Sequence, residues 1–181
     1  MEILRIVVTG GVGAGKTSFI RTISEIEVVD TDKKATDETS QFKDTTTVAM
    51  DFGRLSIAPN QSLHLYGTPG QSRFDFMWDI LIKKAHAYIL LIDAHRPEQF
   101  RYGKRILNFL NQRVQIPYLI GLTHTDCQNA WEVEDVAIAL GLVDERVRSS
   151  IISVNATERT SVLQAVIALV QEFAQYQQSC G

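Results

Sequence analysis

Residues Gly10-Gly11-Val12-Gly13-Ala14-Gly15-Lys16-Thr17 satisfy the pattern G-x-x-x-x-G-K-[ST] without a gap. Before them lies a nearly continuous apolar run, Ile3–Thr9, and after them Lys16–Ile26 carries apolar residues at helical spacing. A run that is apolar on both faces reads as a central strand, and a strand that must be covered on both faces calls for crossover helices. This strand–turn–helix unit therefore constrains the chain to an α/β fold before any other segment is read.

The residue types in the loop follow from what it must hold. Successive backbone N–H groups have to point inward at phosphate oxygens, and glycine permits the backbone angles and the close approach. The helix that follows presents its positive end to the anion. Lys16 adds a point charge near the β- and γ-phosphates, and the Thr17 hydroxyl is placed to ligate Mg²⁺. The expected phosphate-contacting set is Gly10, Val12, Gly13, Ala14, Gly15, Lys16, Thr17 and Ser18.

The rest of the chain alternates in the same manner. Strands are expected at Thr47–Ile57, Ser62–Tyr66, Ala87–Asp93, Ile116–Leu122 and Ser150–Val154. Helices are expected at Phe74–Ala85, Pro97–Arg113, Trp131–Leu140 and along the face marked by Val162, Leu163, Val166, Leu169, Val170 and Phe173. The turn sequence Ala58-Pro59-Asn60-Gln61 makes the first two of these strands a hairpin. Asp30–Thr46, polar and without apolar period, reads as a long loop. The sum is a six-stranded, mostly parallel sheet with one antiparallel edge strand and about five helices, in three layers. No repeat or low-complexity tract divides it, so residues 1–181 are expected to form one domain.

Composition narrows the partners. The 181 residues carry a net charge of −3 and only two cysteines. A mildly acidic chain gives no electrostatic reason to bind nucleic acid or an anionic membrane. Two thiols are too few for a disulfide framework and suit a reducing compartment. Glu2 excludes myristoylation, and Cys180 does not complete a prenylation box, so no membrane anchor is expected. The expected location is the cytoplasm.

Four further segments resemble the motif series of small GTPases of the Ras-like superfamily, in the same order. In Thr45-Thr46-Thr47-Val48-Ala49-Met50-Asp51-Phe52, Thr47 lies four residues before an Asp-Phe pair, as in switch I. The match implies that Thr47 closes over the γ-phosphate and Mg²⁺. Gly67-Thr68-Pro69-Gly70-Gln71 resembles switch II. It implies that the Gly70 N–H reaches the γ-phosphate and that Gln71 orients the attacking water. Gly67 stands where that motif has an acidic residue, so the usual carboxylate behind the metal is missing.

Thr123-His124-Thr125-Asp126 resembles the base-recognition motif Asn-Lys-x-Asp. Asp126 would accept hydrogen bonds from guanine N1–H and the exocyclic amine, with Thr123 in place of Asn and the His124 ring in place of the Lys stem. Asn155-Ala156-Thr157 lies where the Ser-Ala-Lys loop brings an alanine N–H to the guanine O6, and only Ala156 matches. The departures resemble a bacterial and archaeal branch that includes Mgl-type polarity GTPases and conservon-type ATP/GTP-binding proteins. That resemblance implies a nucleotide switch that binds GTP or GDP with Mg²⁺, hydrolyses GTP slowly with Gln71, Lys16 and Thr47, and works with a Roadblock-type partner.

Some residues stay outside that scheme. Among Phe74, Phe76, Met77 and Trp78, some are expected in the core and one or two exposed to report the nucleotide state. Arg73, the pair His95-Arg96 and the run Asp144–Arg148 read as solvated surface. Val12 would crowd an incoming arginine. Three other readings remain: a scaffold that binds nucleotide without turnover, an ATP-preferring member of the same branch, and a small-molecule kinase. The last lacks the cluster of lid arginines that it needs.

Overall fold

Strand β1 (Glu2–Gly10) runs parallel to both of its neighbours in the sheet. The computed structural model describes residues 2–30, 50–70, 75–144, 148 and 150–180. In chain order, β1 is followed by α1 (Lys16–Ile23), β2 (Val29–Asp30), β3 (Asp51–Ala58), β4 (Gln61–Gly67), α2 (Phe76–Ile82) and β5 (Ala87–Asp93). A single 3-10 turn, Pro97–Gln99, leads into α3 (Phe100–Arg113), and β6 (Tyr118–Thr123), α4 (Val133–Leu140), β7 (Ile151–Ser153) and α5 (Arg159–Cys180) complete the described chain.

The strands form one sheet in the order β2-β3-β4-β1-β5-β6-β7. Antiparallel pairing is confined to the β2–β3 and β3–β4 pairs, and the pairs from β4 through β7 are parallel. Among the described residues, the six strands other than the two-residue β2, one of them antiparallel in an otherwise parallel sheet, and the five α-helices agree with the sequence expectation. The two-residue β2 is an addition: Val29 and Asp30 extend the sheet beyond β3, at the start of what the polarity of Asp30–Thr46 reads as loop.

The chain leaves β1 to build strands on one side of it and returns to build β5, β6 and β7 on the other. In open α/β sheets the crevice at the C-terminal edge beside such a switch point is where ligands bind.

Alternation along the strands distributes the core between two layers. Ile6 and Val8 of β1 join Phe19, Ile20 and Ile23 of α1 and Val162 and Val166 of α5 in one cluster. Val7 joins Trp78 of α2, Leu107 of α3 and Ala137 of α4 in the other. Every residue of β5 is buried, which is why it reads as an unbroken apolar run and not as an alternation. A buried side chain of this size contributes about 1.5–3 kcal/mol, so two such clusters fix the β1 edge firmly.

Pro97 starts the 3-10 turn before α3, in agreement with its expected first-turn role. Helix α4 stops at Gly141, whose φ of 80° and backbone bonds to Ala137 and Ile138 close the helix end. Helix α2 is shorter than expected and begins at Phe76. Among the described residues no helix is long and apolar enough to cross a membrane.

Candidate functional site

The loop expected to cradle phosphates occupies the β1–α1 connection at the switch point. Gly10 leaves β1 at φ 149°, and a Cβ there would lie 2.4 Å from the Leu91 carbonyl oxygen of β5. Only a residue without a side chain allows the loop to start this close to its neighbour strand. Gly15 caps α1 in the left-handed region at φ 101° and, having no side chain, gives no cap hydrogen bond to the first-turn N–H groups. Those orphan donors and the positive end of the helix face the loop, which suits an anion.

Lys16 is buried at 8% exposure, and its ammonium donates to the carbonyl oxygens of Gly10 at 2.9 Å and Gly11 at 2.6 Å. Burial pushes its pKa down to about 8, while the nearby Asp51 carboxylate acts in the opposite direction. The amine is thus held across the concave side of the loop. Gly70 stands directly above: a Cβ on it would come 2.8 Å from the Lys16 Nζ and 2.9 Å from the Val12 nitrogen. Thr68 anchors this approach, donating its hydroxyl to Thr9 Oγ1 at 2.9 Å and its N–H to the Val8 carbonyl. The structure therefore brings Gly70 onto the loop. Thr47 and Gln71, along with Thr45, Thr46, Arg73 and Phe74, lie outside the described residues.

Two segments distant in sequence meet the loop at Gly15. A Cβ on Gly15 would sit 3.2 Å from Ala156 Cβ and 3.7 Å from Thr123 Cγ2. Thr123 is buried and donates its hydroxyl to the Ala14 carbonyl at 2.8 Å, tying the end of β6 to the loop. Beyond it, His124 adopts φ 56° and opens a turn closed by the Cys127 N–H to the His124 carbonyl. The turn exposes Asp126 at its tip. Thr125 Oγ1 and Ser153 Oγ are 2.7 Å apart, which joins this turn to the end of β7. Asn155 Oδ1 accepts from both the N–H and the hydroxyl of Thr157, shaping the loop that carries Ala156. The Thr22 hydroxyl donates to the Ala156 carbonyl and pins that loop to α1. The expected base-side residues are thus gathered beside the expected phosphate side.

Several residues that the motifs do not mark also belong here. Asp93, buried at the end of β5, lies 3.4 Å from the Arg96 Nε and 3.4 Å from the His124 Nδ1, and accepts from the His95 N–H. The Arg96 guanidinium, steered by this carboxylate, rests against Gly13, where a Cβ would be 3.3 Å from its Nη1. Arg96 was expected as plain solvated surface; its side chain is half-exposed, yet it braces the outside of the loop. Gln99 Nε2 donates to the Val12 carbonyl at 3.2 Å and closes the same flank. Val12 itself projects at the loop's tip, 53% exposed.

Asp51 is the most consequential of the unmarked residues. It begins β3 and accepts a 2.5 Å hydrogen bond from the Thr17 hydroxyl. In sequence it serves only as half of the Asp-Phe pair that locates switch I. Its position was hidden because it depends on the hairpin register. Counted straight back from the turn pair Ala58–Gln61, Asp51 falls opposite Thr68. The irregularity between Ser56 and Ala58 shifts it opposite Gly67.

After the segment that resembles switch II, Phe76 is 54% and Ile80 is 55% exposed, whereas Trp78 is buried. The expected division of the aromatic run between core and surface is present.

Comparison with known proteins places these features in context. Residues 26–179 match the family described as "Conserved hypothetical ATP binding protein". That match begins after the phosphate loop. The chain is 30% identical over 123 residues to the uncharacterized protein MJ1339 of Methanocaldococcus jannaschii, covering 68% of this chain and 71% of that protein. The small GTPase Arl6 (BBS3) of Trypanosoma brucei, solved with the nucleotide analogue GppNp, superposes with a TM-score of 0.73 at 15% identity. The match covers 96% of this chain and 98% of that one. At that identity the likeness establishes a Ras-like P-loop fold.

Proposed function

The chain belongs to the family of conserved hypothetical ATP binding proteins, and from that membership we propose that it is a small nucleotide switch in a single domain, binding a nucleoside triphosphate on Gly10–Thr17 and hydrolysing it slowly. The observation that carries this reading is the meeting of three segments at Gly15: the phosphate loop, the Thr123–Asp126 turn and the Ala156 loop. Phosphate chemistry and base chemistry then fall on opposite sides of one short helix start.

The work of such a site is positioning and electrostatics. The loop N–H groups and the α1 terminus hold phosphate oxygens, and the Lys16 ammonium turns from the loop carbonyls to the β- and γ-phosphates. Gly70 supplies an N–H above the γ-phosphate, Thr47 closes over it, and Gln71 orients water for in-line attack. Hydroxyl oxygens, here those of Thr17 and Thr47, are donors that would hold a magnesium ion beside the phosphates. When bound, Mg²⁺ neutralises charge between the β- and γ-phosphates.

GTP is the triphosphate we favour. Asp126, exposed at the tip of its turn, would offer a carboxylate to the N1–H and amine of guanine, and by the motif match Ala156 would bring its N–H to O6. Preference for ATP is the second reading. Thr123 and His124 in place of Asn and Lys favour it, as does the family's description.

The exposed pair Phe76 and Ile80 at the end of switch II supports docking of a Roadblock-type partner that senses the nucleotide state. Such a partner is what the resemblance to conservon-type and Mgl-type switches implies. Phosphate release under single-turnover conditions, with GTP and then ATP, tests the catalytic part. Slow release from GTP supports the switch. Tight binding without release points instead to the non-hydrolysing scaffold.

A further inference from the structure

We propose that Asp51 is the carboxylate that positions the magnesium ion, supplied from the antiparallel strand β3 into the corner that Gly67 leaves open on β4. The inference rests on the nucleotide reading above and goes beyond it by naming a residue that none of the motifs assigns to the metal.

Two observations converge. Thr17 is the loop's metal-ligating hydroxyl by type and position, and its hydrogen-bond acceptor is Asp51 Oδ2 at 2.5 Å. With its proton directed at Asp51, the Thr17 oxygen keeps its lone pairs turned away from that carboxylate and available to a cation. Next, Asp51 and Gly67 are directly opposed in the β3–β4 register. A Cβ on residue 67 would lie 3.1 Å from Asp51 Cβ, 3.4 Å from Asp51 Oδ2 and 2.9 Å from Ile20 Cδ1. A side chain at 67 and the Asp51 carboxylate compete for the same space. The corner holds one carboxylate, and in this chain it comes from the neighbouring strand.

Magnesium sheds water reluctantly and is commonly held through one or two carboxylates together with substrate phosphates. Asp51 meets that need by orienting Thr17 and by accepting from the ion's own waters. A purely structural role, pinning α1 to β3, would rest on the same hydrogen bond, so the test must read the metal separately.

The full chain is titrated with GTP and with ATP, in Mg²⁺ and in EDTA. Metal binding is read independently from the water-proton relaxation of Mn²⁺ with nucleotide present. For D51N, binding in EDTA stays near that of the parent protein. The tightening by Mg²⁺ falls by about 10–100-fold, the range for removing a partner behind a metal ligand, and the Mn²⁺ signal weakens in parallel. The exchange variant D51G/G67D moves the carboxylate across the strand pair and restores the tightening.

Undiminished Mg²⁺ dependence in D51N overturns the inference. So does an equal loss in Mg²⁺ and EDTA that the exchange variant does not repair, because that is the signature of a structural pin. Parent protein that binds neither triphosphate in either condition has a different signature and overturns the nucleotide reading together with this one.

Discussion

The Thr123 hydroxyl donates to the Ala14 carbonyl across 109 residues of sequence, at 2.8 Å and wholly buried. This one bond ties the end of β6 to the middle of the β1–α1 loop. In the resembling motif an asparagine stands at position 123; the shorter threonine keeps a bond to the loop. Thr123→Val preserves shape and removes the donor. It leaves the Ala14 carbonyl buried without a partner, which costs about 1–3 kcal/mol. Urea unfolding should show a lowered midpoint, and triphosphate affinity should fall with it. Thr123→Ser should retain most of both.

Gly10 and Gly13 predict different failures in the same loop. A side chain at position 10 meets the Leu91 backbone at 2.4 Å, and neither strand can yield without disturbing the core. Gly10→Ala should lower fold stability by about 3 kcal/mol. At Gly13, with φ 76°, the contact is the end of the flexible Arg96 side chain. Gly13→Ala should lower stability by only about 1 kcal/mol, the strain of that backbone region, and should chiefly weaken nucleotide binding. Paired unfolding curves and titrations of the two variants separate these outcomes.

Lys16 carries a pH dependence whose sign is fixed. Its folded pKa of about 8 lies below the ordinary 10.5 because burial disfavours the charge. The charged amine therefore opposes folding at neutral pH, and stability contributed by this group rises between about pH 8 and 10.5. Nucleotide binding runs the other way. A triphosphate favours the ammonium, so above pH 8 binding must take up a proton, and affinity should fall by up to about tenfold per pH unit. Calorimetry at pH 8.5 in two buffers of different ionisation enthalpy measures the uptake directly, and Lys16→Met should abolish it.

Asp126 sets the choice of base if guanine is the ligand. Asp126→Asn removes a charged acceptor for two hydrogen bonds, each worth about 1.5–3 kcal/mol. GTP affinity should fall by about 100-fold, while ATP affinity should change little. Competition between the two nucleotides for the variant and the parent chain checks this.

Much of the architecture was legible because it follows from periodicity. Ala87–Asp93 matches β5 to the residue, since a strand buried on both faces leaves a bounded apolar run. The loop Gly10–Thr17 was legible because every position serves one chemistry. The support around it was not. Arg96 and Gln99 reach the loop only because β5 lies beside β1, and nothing local distinguishes them from other polar residues after a strand. Asp51 was hidden by a one-residue irregularity in a hairpin whose existence, but not whose register, could be read. The base side was read from position more than from identity, since Ala156 and Asp126 are the residues there that match their motifs.

The account stands most directly on a calorimetric titration of the full chain with GTP, GDP and ATP in Mg²⁺, repeated with Lys16→Ala. It predicts saturable binding of one nucleotide per chain, GTP tighter than ATP, and loss of triphosphate binding in the variant. No saturable binding of any of the three, or binding that survives loss of the Lys16 amine unchanged, would contradict it.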